Sequence, residues 1–279
     1  MSRNFIDFHG QPAIALALLG GDRAVVLPHG AQVVSWQTSD GAERLYLSPQ
    51  AVLDGQAAIR GGVPVCFPQF NQRGPLVKHG FARHMPWQVE EAQPARAVLG
   101  LRRGVATQAF WPAHFHARLT VELRPGALKI HLSVANTGAS TWSFTTALHT
   151  YLRVDDVQQV RLDGLDGAAR WDAVADCHAP QQGAPAFGAE FDSVYQAPAQ
   201  ILALTEPGRG TLHIAQSSRC PQTVVWNPGP VLARTLADLP DEDWRHLLCV
   251  EAASVDAPVA LAPGARWQGW QQLRWSASS

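Results

Sequence analysis

Charge is scarce in this chain, and none of the usual signatures for holding a metal, nucleotide or covalent nucleophile is present. Charged residues make up 16% of the 279, and 22 lysines and arginines against 23 aspartates and glutamates leave a formal net charge of -1. No global field therefore draws the chain to nucleic acid or to an acidic membrane, and an anion has to be caught by local clustering. There is no GxSxG elbow, no phosphate-binding P-loop, no GxGxxG fingerprint and no HExxH. The four cysteines, Cys66, Cys177, Cys220 and Cys249, are far apart with no CxxC pair, which argues against thiolate zinc and fits small, buried, reduced thiols. His114 and His116 share one side of a strand, as some metal pairs do, but no third ligand accompanies them, so no metal is expected. The opening MSRNFIDFHGQPAIALALLGGD lacks a basic n-region and a cleavage site, and its apolar run is too short to cross a bilayer. The expectation is a cytoplasmic protein without a membrane or nucleic-acid partner.

Helical periodicity is also missing. Hydrophobic residues, at 46%, instead alternate. Ala117, Leu119, Val121 and Leu123 share one parity. After Arg124-Pro125-Gly126 the pattern resumes with Leu128, Ile130, Leu132 and Val134, which predicts a hairpin around the Pro-Gly turn. Short strand-like runs recur at Ala24–Leu27, Gln32–Trp36, Val98–Arg102, Trp142–Leu148, Ile201–Leu204, Thr211–Ala215, Thr223–Trp226, Leu247–Val250 and Trp267–Trp275. The 20 prolines and 23 glycines are spread along the chain, as many short strands joined by turns require. An all-β fold is predicted, one large antiparallel β-sandwich with residues 1–279 as a single domain. The Ala/Pro/Gln-rich stretch from His178 to Ala189 reads as an exposed loop. No heptad seam or association helix is visible, so a monomer is expected.

One absence is local. Between Asp54 and Glu90 there is no acidic residue, where about three would be expected at the chain's average frequency. The segment carries Arg60, Arg73, Lys78 and Arg83, with His79 and His84 beside them. Guanidinium groups bind phosphate oxygens in a bidentate fork and lysine adds a mobile point charge, so the segment is a candidate anion pocket. Gly61-Gly62 beside Arg60 would let the backbone pass close to a ligand. The interleaved Phe67, Phe70, Phe81 and Trp87 suggest nucleic acid only if the chain is basic, and it is not.

Three further residues carry acid/base potential in apolar surroundings. His149 ends the run Ala147-Leu148-His149-Thr150-Tyr151, where alternation puts His149 and Tyr151 on one face and Leu148 on the other. Glu251 follows Leu247-Leu248-Cys249-Val250, so a carboxylate emerges where a strand leaves or crosses the core. Asp192 sits in Phe191-Asp192-Ser193-Val194-Tyr195. Spacing alone does not bring the three together, and a glycosidase carboxylate pair stays open on the same grounds.

The segment Ile59-Arg60-Gly61-Gly62-Val63-Pro64-Val65-Cys66-Phe67-Pro68-Gln69-Phe70, followed by Lys78-His79-Gly80-Phe81-Ala82-Arg83, resembles the signature of the glucose-6-phosphate 1-epimerases. These are hexose-6-phosphate mutarotases of the aldose 1-epimerase superfamily. His149-Thr150-Tyr151, Asp192-Ser193-Val194-Tyr195, Val225-Trp226-Asn227-Pro228, Ala237-Asp238-Leu239-Pro240-Asp241 and Cys249-Val250-Glu251 match in order, covering roughly Leu45 to Leu273. The resemblance implies a galactose-mutarotase-like β-sandwich without metal or organic cofactor, acting on a small sugar phosphate. It implies His149 and Glu251 as the catalytic pair and Arg60, Lys78 and Arg83 as contacts of the sugar phosphate. Asp192 would hold a sugar hydroxyl, with His79 as a further pocket residue. Members often carry tryptophan where this chain has Gln69 and Gly229, rings that would stack on the sugar. Arg234 is the nearest cation beyond the Asn-Pro motif.

The implied reaction, interconversion of α and β anomers of a hexose 6-phosphate such as glucose 6-phosphate, suits these residue types. Ring opening needs a proton taken from the C1 hydroxyl while another reaches the ring oxygen. A carboxylate with an ordinary pKa near ~4.3 acts as base, and an imidazole near ~6.5 carries the donated proton. The competing expectations are a mutarotase for unphosphorylated aldoses, a non-catalytic carbohydrate-binding sandwich, and a glycoside hydrolase.

Overall fold

The computed structural model describes residues 4–196 and 201–278, so the first three residues of the opening segment lie outside it. Alternation becomes three antiparallel sheets, one of four strands and two of eight. The predicted hairpin spans Phe115–Arg124 and Ala127–Asn136, closed where Arg124 pairs with Ala127. Pro125 presets the turn and Gly126 takes the left-handed φ of 62° that it needs. Leu119, Val121, Leu132 and Val134 have no more than 1% of their surface exposed, and each such side chain contributes about 1.5–3 kcal/mol on burial.

The second eight-stranded sheet carries the site. Its path includes Phe191–Gln196, Gln222–Asn227, Leu247–Leu261 and Trp142–Leu148 as successive neighbours. Its two faces have different jobs. Val225, Val250 and Leu148 join the main core with Leu119, Leu132 and Leu273 of the other large sheet. Val224, Val194, Ala253 and Ala147 form a smaller cluster with Cys66 and Phe70. Because Val224 pairs with Glu251, that second face is also the one Glu251 occupies.

Several sequence expectations change here. Of the two alternatives for Glu251, the strand crosses the core: it runs from Leu247 to Leu261 and buries Glu251 within it. Apolar residues continue on both sides because both faces of the sheet are covered there. The stretch from His178 to Ala189 is not wholly an exposed loop: Cys177–Pro180 is an edge strand, and Gln181 and Phe187 are buried. Cys177 is exposed, unlike the other three cysteines. Gly61 and Gly62, at φ 119° and 61°, answer to neighbouring backbone. A Cβ would meet Tyr46 O at 2.4 Å and Val33 O at 2.1 Å respectively. Among the described residues, no helix is long and apolar enough to cross a membrane.

Candidate active site

On the second face of this sheet lies a cavity of about 240 Å³. Its wall includes all seven residues singled out above: Arg60, Lys78, His79, Arg83, His149, Asp192 and Glu251. The strands set the floor. Glu251 pairs with Val224, and Trp226, two residues on, pairs with Asp192, so the two-residue period delivers Glu251, Val224, Trp226 and Asp192 to one side. His149 lies just past Trp142–Leu148, its amide donating to Pro64 O at 3.0 Å, and Tyr151 opens the next strand. The rings of His149 and Tyr151 stack at 4.8 Å and 12°, on the shared face that alternation predicts. The acid-free segment supplies a side wall.

That segment divides. Arg73 reaches Val255 O at 3.1 Å and Asp256 at 3.5 Å, and the His84 imidazole bonds Gln56 O at 3.3 Å; neither lines the cavity. Phe67, Phe81 and Trp87 are core residues that anchor the segment, whereas Phe70 reaches the cavity. Arg60 lines it but is engaged: Nε and Nη2 donate to Asp238 Oδ1 at 3.1 and 3.0 Å, and Nη1 donates to the Tyr151 hydroxyl at 3.1 Å. Lys78 and Arg83 have no carboxylate partner among the described residues, and Arg83 Nε is buried without a hydrogen bond.

His149 Nε2 lies 3.4 Å from Glu251 Oε1. His149 is 8% exposed and Glu251 1%, and His149 Nδ1 and Glu251 Oε2 have no protein partner among the described residues. Burial, and after it the Asp192 carboxyl, push Glu251 well above the usual carboxylate range. Burial, and after it Arg83 and Arg60, push His149 down to about 3. Both shifts favour a neutral carboxyl beside a neutral ring; an ionised Glu251 beside an imidazolium, the sequence expectation, is the other form of the same pair. The unpaired buried atoms at its edges suit a ligand rich in hydroxyl groups.

The sequence profile described as Aldose 1-epimerase matches residues 17–274. The chain belongs to the aldose 1-epimerase family. A protein of Cenchrus ciliaris named "Putative glucose-6-phosphate 1-epimerase" is 35% identical over 260 residues, 88% of this chain and 79% of that one. One of the same name from Escherichia coli K12 is 33% identical over 239 residues, 80% and 77% of the two chains. The crystal structure of a "putative mutarotase" from Salmonella typhimurium superposes with a TM-score of 0.88 at 26% identity, covering 98% of this chain and 93% of that one. The aldose 1-epimerase fold is thus the observed one.

The expected departures from relatives acquire physical causes. Gln69 does not line the cavity. Its side-chain amide donates to Asn71 O and Leu76 O at 3.0 Å and accepts from Leu76 N at 2.9 Å, filling the 71–77 loop. Gly229 has φ 60°, and a Cβ would lie 2.4 Å from Ala189 C and Glu190 N, so no ring fits at that position. Arg234 is exposed and stands outside the wall. The aromatic surface comes instead from Trp226, Tyr151 and Phe70. Trp226 was visible within the Val-Trp-Asn-Pro motif, two positions from Val224. Glu190 and Asn71 also line the cavity, and no local sequence signal marks them. His116 bonds Glu90 at 3.2 Å, and no group of three His, Cys, Asp or Glu suited to a metal occurs among the described residues.

Proposed function

We propose that this chain interconverts the α and β anomers of a hexose 6-phosphate, glucose 6-phosphate foremost. The observation that carries the reading is the His149–Glu251 pair, 3.4 Å apart at the floor of a cavity whose wall holds the acid-free cations Lys78 and Arg83. The names of the Cenchrus and Escherichia relatives support the choice of sugar.

The pair's single proton moves across 3.4 Å to His149 as the C1 hydroxyl donates to Glu251. Glu251 then takes the hydroxyl proton while the bond from C1 to the ring oxygen breaks and His149 protonates that oxygen. The product is the open-chain aldehyde. Rotation about C1–C2 presents the other carbonyl face, and closure returns both protons with the roles exchanged. Asp192 accepts from a sugar hydroxyl and Trp226 offers an apolar face. Lys78 and Arg83, with Arg60 behind them, hold the phosphate and so fix where C1 falls against the acid/base pair.

Exchange-spectroscopy NMR on glucose 6-phosphate and on free glucose tests the reading. Glu251→Gln and His149→Ala each lower the exchange rate by roughly 10²- to 10⁴-fold with the fold intact by circular dichroism. Lys78→Ala and Arg83→Ala raise KM for the phosphorylated sugar and leave free glucose unchanged. Equal turnover of both sugars by the wild type would remove the phosphate from the reading and leave a general aldose mutarotase. Binding without exchange would make the chain a carbohydrate-binding module.

A further inference from the structure

The proposed mechanism gives no role to the thiol beneath the cavity wall. Cys66 lies on the two-residue strand Val65–Cys66, wholly buried, with Sγ 3.2 Å from His79 Nδ1. The same ring nitrogen faces a second donor, the Asn71 backbone N–H, at 3.3 Å. The His79 N–H in turn donates to Asn71 O at 3.0 Å, so the two residues clasp one another across the neck of the 71–79 loop. Both stand in the left-handed region, Asn71 at φ 49° and His79 at φ 65°, and the clasp holds two non-glycine residues there.

The donor inventory decides the proton positions. A backbone amide only donates, so Nδ1 accepts, and the neutral ring carries its proton on Nε2. The thiol then donates as well. Burial, and after it the Glu251 carboxyl, push the Cys66 thiol up, so it keeps the proton it gives. A second proton on the ring would have to enter at Nδ1 and displace both donors. It would also add a cation facing His149, whose ring lies edge-on at 5.4 Å, and the Arg83, Lys78 and Arg60 charges.

We propose that Cys66 is a positioning residue which, with the Asn71 amide, locks His79 as the Nε2–H tautomer, so that His79 meets the sugar as a neutral hydrogen-bond donor. The part that concerns the sugar rests on the function proposed above. His79 then takes an oxygen lone pair, from the ring oxygen or a hydroxyl, and takes no part as a cation toward phosphate. His149 is left as the imidazole of the pair that exchanges protons with Glu251.

Long-range ¹H–¹⁵N correlation spectra of the labelled enzyme, with the His79 signals assigned by their loss in His79→Gln, read the tautomer directly. The expected spectrum shows an unprotonated Nδ1 and a protonated Nε2 at every pH between roughly 5 and 9, with the Nε2 signal moving when glucose 6-phosphate is added. Cys66→Ala raises KM about three- to tenfold, the effect of one hydrogen bond, with kcat changed far less, and Cys66→Ser restores much of the loss. A protonated Nδ1 in the wild type, or titration of His79 within that range, overturns the lock without needing any variant to fold. An unchanged KM in well-folded Cys66→Ala removes Cys66 from it. Should anomer exchange be absent while the Nε2–H signal is in place, the functional reading fails and the hydrogen-bond assignment stands.

Discussion

Asp192 shows how burial sets the behaviour of a single residue. Its carboxyl is pushed up to about 6 by burial and, after that, by the neighbouring Glu190 carboxylate; Lys78 and Arg73 pull the other way and only soften the shift. The folded chain therefore binds this proton more tightly than the unfolded chain does. The stability from Asp192 is fully present below the ordinary carboxylate pKa and is lost as pH rises through about 6. An isosteric amide removes the charged form. Asp192→Asn is expected to unfold at higher temperature than the wild type near pH ~8, by at most about 3 kcal/mol, with the gap closing near pH ~4. Thermal melts at the two pH values decide it; a gap independent of pH would mean that the desolvated charge is not its source. On the proposed function, relieving that strain would not make a better enzyme, since the ionised carboxylate is the stronger acceptor for a sugar hydroxyl.

At the scale of elements, the short helix Gly229–Ala233 closes one side of the cavity through contacts that no period announces. Asn227 donates from Nδ2 to Trp244 O at 2.7 Å and Leu247 O at 2.9 Å and accepts from the Gly229 amide at 2.8 Å, which pins the turn after the strand. Gly229 then passes so close to Ala189 and Glu190 that a methyl group meets backbone rather than a movable side chain. Gly229→Ala is expected to cost about 2–4 kcal/mol through left-handed strain and that collision, and to raise KM by displacing the segment that carries Glu190 and Asp192. Chemical denaturation with KM measured on the soluble fraction checks both; stability within about 0.5 kcal/mol of wild type would show that the 189–190 backbone yields freely. The same region explains what the sequence could and could not convey. Alternation marked the 115–134 hairpin because one face of it is more deeply buried than the other and period two survives. Around Glu251 both faces are covered and the apolar run is continuous, so Leu247–Val250 was legible as a strand but its continuation to Leu261 was not. Alternation misread Cys177–Pro180, an edge strand with both faces open to solvent. Of the cavity wall, the motif-bearing residues were legible. Asn71 and Glu190 were not: closure of the 71–79 loop onto His79 puts Asn71 there, and backbone contact with Gly229, distant in sequence, sets Glu190.

For the whole molecule, the proposed function turns on how a nearly neutral chain would favour an anion. The formal net charge is -1, so attraction has to arise inside the cavity mouth, where Lys78 and Arg83 stand without carboxylate partners among the described residues while Arg60 shares its charge with Asp238. About half of the other cations are in carboxylate pairs, Arg118 with Glu90, Arg161 with Asp163 and Arg209 with Asp155 among them. A field confined to one opening reaches an approaching phosphate over about a Debye length, which shrinks from about 30 Å at 0.01 M salt to about 8 Å at 0.15 M. On the proposed function, kcat/KM for glucose 6-phosphate should fall about threefold or more as salt rises across that range, while the value for an unphosphorylated sugar stays level. Lys78→Ala should flatten the slope by removing one cation from the mouth, and Arg60→Ala should flatten it at least as much, because it also leaves Asp238 unpaired to oppose the phosphate. Initial-rate measurements in graded sodium chloride separate these cases. A salt slope shared by charged and neutral sugars would place the effect on protein stability or on the acid/base pair, and would leave the cavity's cations without the steering role assigned to them.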